Sequence, residues 1–438
     1  MSLKKWLLFA LIFLGIFISL PYLFSFFPFK QVFEYGVGKK YNQKIRIEKI
    51  NLTWFGPQTY QGISFKNTSL DGSIQQIQSE TPFWKLTSNQ KISLQDGLIH
   101  VHIENFSTVI ENLNATINDT QIQIQALTKK EGHTGKIEIN GTYESPDDLN
   151  LSIQADQVPT LIVDQYLKKD KSLLALIGPS FNLNLKSQMK KKEGFAKFNF
   201  QSLQIQAIGD LSLTPQIITL NNPLSFSAKI SDPLSQFLPY QMTSSDPILV
   251  QIDSNGFSLP RNLDFSQIQI QNATLNLGRI YLKNATFLDQ PLSFFKTPKK
   301  ANHEADFWFT PFRFSIKNQK IKYERTDFLI NSSLHLCSWG KIDSNSKKLD
   351  LILGVPTDTL TKNFHLANLP SDFVLQIPVT GSIEKPKIDT KNAAKTIATL
   401  LASDQLKKGG GIFKGIGQII DQSQKEKAPK PNLPFPWE

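Results

Sequence analysis

The sequence predicts a mainly β chain held at a membrane by one N-terminal helix. Three observations carry that expectation. An uncharged apolar run opens the chain, period-two alternation fills most of the remaining length, and turn-forming residues punctuate it at short intervals.

The apolar run spans Trp6 to Phe29 without a charged residue. It is long enough to cross a hydrocarbon core of roughly 30 Å as a helix, with Trp6, Leu14, Phe17 and Leu20 inside the anchor. Pro21 is expected to kink or end it, and Tyr22 suits the headgroup zone. A cleaved signal peptide would have a shorter core, about 7–15 residues, and a small-x-small exit. The exit here is Phe26-Phe27-Pro28-Phe29, so an uncleaved anchor is expected. Lys4 and Lys5 place the N-terminus in the cytoplasm, although Lys30, Lys39, Lys40, Lys44 and Arg46 come after the span. Long domains translocate largely regardless of charge, which puts the bulk of the chain outside.

Cys337 is the only cysteine, which excludes an intrachain disulfide and favours a bacterial periplasm over a eukaryotic secretory route. The net charge of +11 suits an anionic membrane surface. Nucleic acid is not expected. The lysines are scattered, and the densest cluster, Lys190-Lys191-Lys192, reads as a hairpin turn.

Strand-period segments begin at Ile45, Ile47, Ile50 and Leu52 and recur to Leu349-Asp-Leu351. Between them lie Ile122-Gln-Ile124, Ile137-Glu-Ile139, Leu149-Asn-Leu151-Ser-Ile153, Phe181-Asn-Leu183-Asn-Leu185, Phe198-Asn-Phe200, Leu211-Ser-Leu213, Ile268-Gln-Ile270, Leu275-Asn-Leu277 and Phe314-Ser-Ile316. Alternation at two residues puts each apolar set on one strand face. Asp71-Gly72, Asp96-Gly97, Asn140-Gly141, Ser145-Pro146-Asp147, Asp253 to Gly256 and Asp343 to Asn345 are expected turns, giving an antiparallel meander. Helices are few. One or two short ones are expected in Leu161 to Ile177, a weak one in Asp232 to Tyr240, and a clear one in Lys391 to Lys408. Ala394, Ile397, Ala398, Leu401 and Leu406 form the apolar side of the last. So many strands with one apolar face need a second sheet, a closed barrel, or a trough that holds an apolar ligand. Spacing does not choose among these.

Two ends of the chain resemble a known family. Ile45-Arg-Ile-Glu-Lys-Ile-Asn-Leu-Thr-Trp54-Phe-Gly56-Pro57, then Tyr60-Gln-Gly62-Ile-Ser-Phe65, resembles the start of AsmA-like proteins. Lys341-Ile-Asp343, Leu349 to Pro356 and Ile377-Pro378-Val379-Thr-Gly381-Ser-Ile383-Glu-Lys385-Pro386-Lys387-Ile388 resemble their C-terminal region. The middle matches only in style. The resemblance implies an inner-membrane anchor followed by an elongated, twisted antiparallel β-groove with an apolar interior. It also implies movement of phospholipid between the membranes of a Gram-negative envelope, in support of outer-membrane biogenesis. The groove-forming part is short for that family, so an outer-membrane component or another envelope protein is an expected partner beside the inner membrane and its phospholipids. On this reading Leu183, Leu185, Phe198, Phe200, Leu213, Ile268, Ile270, Leu275, Phe314 and Ile316 line the groove. The alternative is an envelope scaffold that assists outer-membrane protein assembly without carrying lipid.

Catalytic, cofactor and metal sites are not expected. His100-Val-His102-Ile-Glu104 has metal-like spacing, but Ile99, Val101 and Ile103 take the inner face and leave the polar trio to solvent. Lys407-Lys-Gly409-Gly410-Gly411 lacks the Gly-Lys-Ser/Thr ending of a phosphate loop. Cys337 has only His335 nearby in sequence. The aromatics Phe287, Phe294, Phe295, Phe307, Trp308, Phe309, Phe312 and Phe314 suit either a core or a hydrocarbon channel. The expected layout is an anchor at 1–29, a periplasmic β-groove at 30–390, an amphipathic helix and glycine-rich segment at 391–424, and a disordered proline-rich tail at 425–438.

Overall fold

The computed structural model describes residues 19, 21, 25, 27–67, 69–82, 91–103, 106–167, 170–238, 240–295, 303–366, 369–407 and 427–438. The expected anchor residues Trp6, Leu14, Phe17 and Leu20 lie outside these, as does the glycine-rich segment. Among the described residues no helix is long and apolar enough to cross a membrane. Strands dominate, and every described strand pairing is antiparallel. The chain forms two compact units, Met1–Leu203 and Gln204–Glu438.

The first unit opens with α1 (Phe27–Tyr41) and continues as a ten-strand meander. Its strands are β1 (Lys44–Asn51), β2 (Gln58–Lys66), β3 (Leu70–Ser79), β4 (Lys91–Ile103), β5 (Phe106–Asn118), β6 (Gln121–Lys130), β7 (His133–Ser145), β8 (Asp148–Pro159), β9 (Ser180–Lys190) and β10 (Glu193–Ser202). Each pairs with the next. Lys191-Lys192 and Glu131-Gly132 are two-residue turns with both φ positive, the mirror-image turn whose twist matches that of paired strands. Side chains of α1 bond the free edge of β1. Glu34 Oε1 accepts from Ile47 N at 2.7 Å, and Lys30 Nζ donates to the Glu48 carbonyl at 3.2 Å. An edge bonded this way is closed to further pairing at those positions.

Three expected turns are not turns. Asp71-Gly72, Asp96-Gly97 and Asn140-Gly141 lie inside β3, β4 and β7. In a strand such residues mark irregularities. Asp96 and Asn112 have φ of 48° and 50°, and the β4–β5 and β5–β6 registers shift beside them. Asp96 N, freed from the ladder, donates to Asn114 Oδ1 at 3.1 Å. Gln157, at φ 51°, does the same with Asn182 Oδ1 at 2.7 Å. Strict period two therefore breaks. Ala155 and Val158, three apart, are both buried, as are Ile47 and Ile50.

The segment expected to hold one or two helices holds two, α2 (Thr160–Tyr166) and α3 (Ser172–Ile177). Buried Asp164 joins them by accepting from Lys171 N and Leu173 N at 2.6 and 2.8 Å. Helix α2 touches β5 and β9.

The second unit runs from β11 (Ile205–Leu213) to β25 (Lys385–Ile388). β12 (Ile217–Leu220) and β13 (Leu224–Ala228) pair successive stretches of β11. β17 (Gln269–Asn276) pairs β20 (Phe312–Lys317), which pairs β21 (Lys320–Ile330). The far stretch of β21 pairs β19 (Ala305–Phe309), and β19 pairs β18 (Arg279–Leu282). β22 (Leu334–Asp343), β23 (Lys348–Pro356), β24 (Val374–Ser382) and β25 then come as successive neighbours. The weak helix of 232–240 is a single turn, α4 (Asp232–Ser235).

Helices α5 (Asp289–Phe294), α6 (Thr357–Phe364) and α7 (Thr390–Lys407) contribute Leu292, Leu360, Ala393, Ile397 and Leu400 to a core with Leu334, Leu336, Val355, Leu375 and Ile377. The buried stripe of α7 is Ala393, Ile397 and Leu400, whereas the expected Ala394 and Ala398 are exposed. Alanines are too weakly apolar to fix a helix rotation, and contact with β24 sets it instead.

Candidate functional site

The registers of the first unit align one apolar side chain from each of its ten strands. Ile50 faces Tyr60, Tyr60 faces Ile77, and the row continues through Leu94, Ala115, Ile124, Ile139, Ile153 and Leu185 to Phe198. At about 4.8 Å per strand the row crosses roughly 40 Å of sheet. A parallel row joins Ala126, Ile137, Ala155, Leu183 and Phe200. The opposite face carries Gln123, Asn140, Ser152, Lys186 and Lys197 in register, all exposed.

The apolar face is itself only partly covered. Of the ten-residue row only Ile50 is buried, and the other nine are half-buried. Ile92 and Ile117, paired beside the row, are 37 and 42 % exposed. A tight cluster forms near β1–β3, around Ile47, Ile50, Leu52, Ile63 and Ile74, and farther along the unit Ala126, Ala155, Val158 and Met189 are also buried. Burial of an apolar side chain contributes about 25 cal/mol per Å2 removed from water, so this face retains driving force for an apolar occupant.

The groove candidates fall into two environments. Leu183, Leu185, Phe198 and Phe200 lie on the half-buried rows of the first unit. In the second unit Ile270 is 4 % exposed in a cluster with Ile218, Leu220, Phe257, Leu259 and Ala273. Leu213, Ile268, Phe314 and Ile316 pack against that cluster, and Leu275 is half-buried opposite Val250 and Phe312. Of the crowded aromatics, Phe295 and Phe307 belong to the helix-covered core with Phe294 and Phe309 against it. Trp308 takes the other face, 6.5 Å from Trp437, and the Phe287 side chain lies outside the described residues.

The His100-His102 pair stays at the surface. His102 Nε2 lies 3.0 Å from Asp71, the two imidazoles stack at 6.3 Å, and Glu104 is outside the described residues. No group of three metal-ligating side chains occurs among the described residues.

One polar constellation was not legible in the sequence. Arg325 donates to both oxygens of fully buried Asp327, at 2.9 and 2.6 Å. His335, from the adjacent strand, brings Nε2 to Asp327 Oδ1 at 3.1 Å and Nδ1 to Asp358 Oδ2 at 2.7 Å. Burial pulls the imidazole pKa down, but hydrogen bonds to the two carboxylates prevail and raise it to about 9. An imidazole that donates from both nitrogens is an imidazolium. Cys337, two residues on, is fully buried and its thiol pKa is pushed up by that burial, which removes it as a nucleophile. The only sequence signal was Arg325-x-Asp327, opposite charges two apart and so on one strand face, and it is masked by Lys320, Lys322 and Glu324 in the same strand.

The tail expected to be disordered covers this cluster over its described residues, 427–438. Arg325 Nη1 donates to the Pro429 carbonyl at 2.9 Å, and Asn432 Nδ2 to the Pro311 carbonyl at 2.8 Å. Phe435 and Trp437 stack on one another at 5.0 Å and both lie edge-on to His335. Proline-rich composition predicts the absence of helix and sheet. It does not register that two aromatic rings near the end of the tail pack edge-on against a side chain of a distant strand.

No family model, curated protein or solved structure matches this chain.

Proposed function

We propose that this chain is an inner-membrane-anchored periplasmic protein whose first unit binds phospholipid acyl chains and conducts them between envelope membranes. The observation that carries the reading is the ten-strand row from Ile50 to Phe198, apolar, continuous in register and half-buried. A hydrocarbon chain laid across the strands meets an apolar side chain roughly every 4.8 Å. Hydrocarbon requires no directional partner, so the row suits acyl chains of differing length. The resemblance of the two ends of the chain to AsmA-like proteins points the same way.

The test uses the full chain expressed in a diderm bacterium with a photo-crosslinking side chain at Ile139 or Leu185. Outward-facing Asn140 and Lys186 serve as controls. Lipid adducts at the first pair and not at the second are expected by mass spectrometry. Equal labelling at all four positions overturns the groove and leaves the scaffold reading in its place.

A further inference from the structure

A cleft of about 1050 Å3 lies between α1 and the β1–β2 end of the meander, at the first-strand end of the apolar row. Four cations line it: Lys39 from α1, Lys44 and Arg46 from β1, and Lys66 from β2. Its one acidic residue, Glu34, is already engaged by Ile47 N. Among the described residues none of the four cations has an ion-pair partner.

Their arrangement is costly in the empty protein. Lys44 and Lys66 are directly opposed across the β1–β2 ladder, a position where like charges destabilise a sheet. Arg46 lies two residues from Lys44 and so shares its face. Lys39 at the end of α1 has an ordinary role in offsetting the helix dipole. Lys66 also faces Asp71 across the β2–β3 ladder, whereas Lys44 and Arg46, on the edge strand, have no carboxylate opposite them. A multivalent oxyanion seated among them converts the repulsion into charge-assisted hydrogen bonds.

The same cleft has apolar members. Ile45 also packs against the cluster of Ile47, Ile50 and Ile63, and Tyr35 is 71 % exposed on α1 beside equally exposed Val32. An occupant with a phosphate at one end and hydrocarbon at the other matches that combination. We propose that this cleft is a phosphate-headgroup site, which holds a glycerophospholipid by its phosphate at the entry to the acyl-binding face. The inference rests on the acyl-groove reading above and adds selection by headgroup charge.

The test uses the full chain in neutral maltoside micelles. It compares uptake of phosphatidylglycerol with uptake of diacylglycerol bearing the same acyl chains. The wild type is expected to prefer the phospholipid about tenfold or more. Lys44→Gln/Arg46→Gln/Lys66→Gln is expected to lose that preference while keeping its diacylglycerol uptake, and Lys44→Arg to retain both. Relief of repulsion leaves the triple variant folded, which its unchanged diacylglycerol uptake reports. Equal preference in wild type and triple variant overturns the headgroup site and leaves the acyl groove standing. Uptake of neither lipid by the wild type overturns the groove itself. Inorganic phosphate shielding Lys44 and Lys66 from acylation, without any phospholipid preference, assigns the cleft to a free phosphate and overturns the lipid.

Discussion

His335 holds its Nε2 3.1 Å from Asp327 Oδ1, in the interior of the second unit, under the edge of Trp437. The folded state raises the His335 pKa from 6.5 to about 9, so its stabilising effect is complete below pH 6.5 and disappears as pH rises through 9. The size of that effect is on the order of 3 kcal/mol. Urea unfolding of the full chain at pH 6 and pH 10 checks it. The wild type is expected to lose more stability than His335→Gln over that interval. Parallel losses in both proteins would show that the imidazolium is not held in the fold.

Arg325 is the other charge on Asp327. Arg325→Met leaves a buried carboxylate with one cationic partner and is expected to cost about 3–5 kcal/mol. It also removes the donor to Pro429, so trypsin cleavage between Lys427 and Ala428 is expected to accelerate by more than the change in global stability explains. Cleavage that merely tracks global unfolding would separate the tail from the cluster.

The two apolar regimes respond differently to substitution. Leu336 is 2 % exposed under the helices of the second unit, and Leu336→Ala is expected to cost about 2–5 kcal/mol. Ile139 is half-buried on the open row, and Ile139→Gln is expected to cost about 1 kcal/mol while reducing lipid uptake. Calorimetry and lipid extraction on the same preparations distinguish them. A large stability loss at Ile139 with normal uptake would mean that the row is a closed core.

Gly62 sits at φ +63° in β2, opposite the stretch of β1 where burial changes strand face between Ile47 and Ile50. A side chain in that conformation costs about 1–2 kcal/mol. Gly62→Ala is expected to lower the melting temperature, whereas Gly36→Ala, in open space on α1, is expected to leave it unchanged or raise it. Similar melting temperatures for the two variants would argue against a strained backbone at position 62.

Much of the fold was legible because β-structure writes itself locally. Ile122, Ile124, Ile137, Ile139, Leu183 and Leu185 announce strands by period two, and Lys191-Lys192 announces its hairpin. Asp96-Gly97 and Asn140-Gly141 misled because the same residue types serve turns and mid-strand irregularities, and the partner strand decides which. The charge cluster was illegible for a similar reason. Arg325 and Asp327 share one strand, but His335 and Asp358 come from separate stretches of chain, and nothing local predicts that they meet that pair.

The sequence by itself determined the strands and the presence of an apolar face, since side-chain alternation is a property of one strand at a time. Tertiary structure alone decided how much of that face is covered. In the second unit α5, α6 and α7 close over Leu334, Leu336 and Ile377, while the row from Tyr60 to Phe198 in the first unit remains half open. Ile377 and Ile139 read alike in the sequence, because burial belongs to the elements that pack above a strand and not to the strand itself.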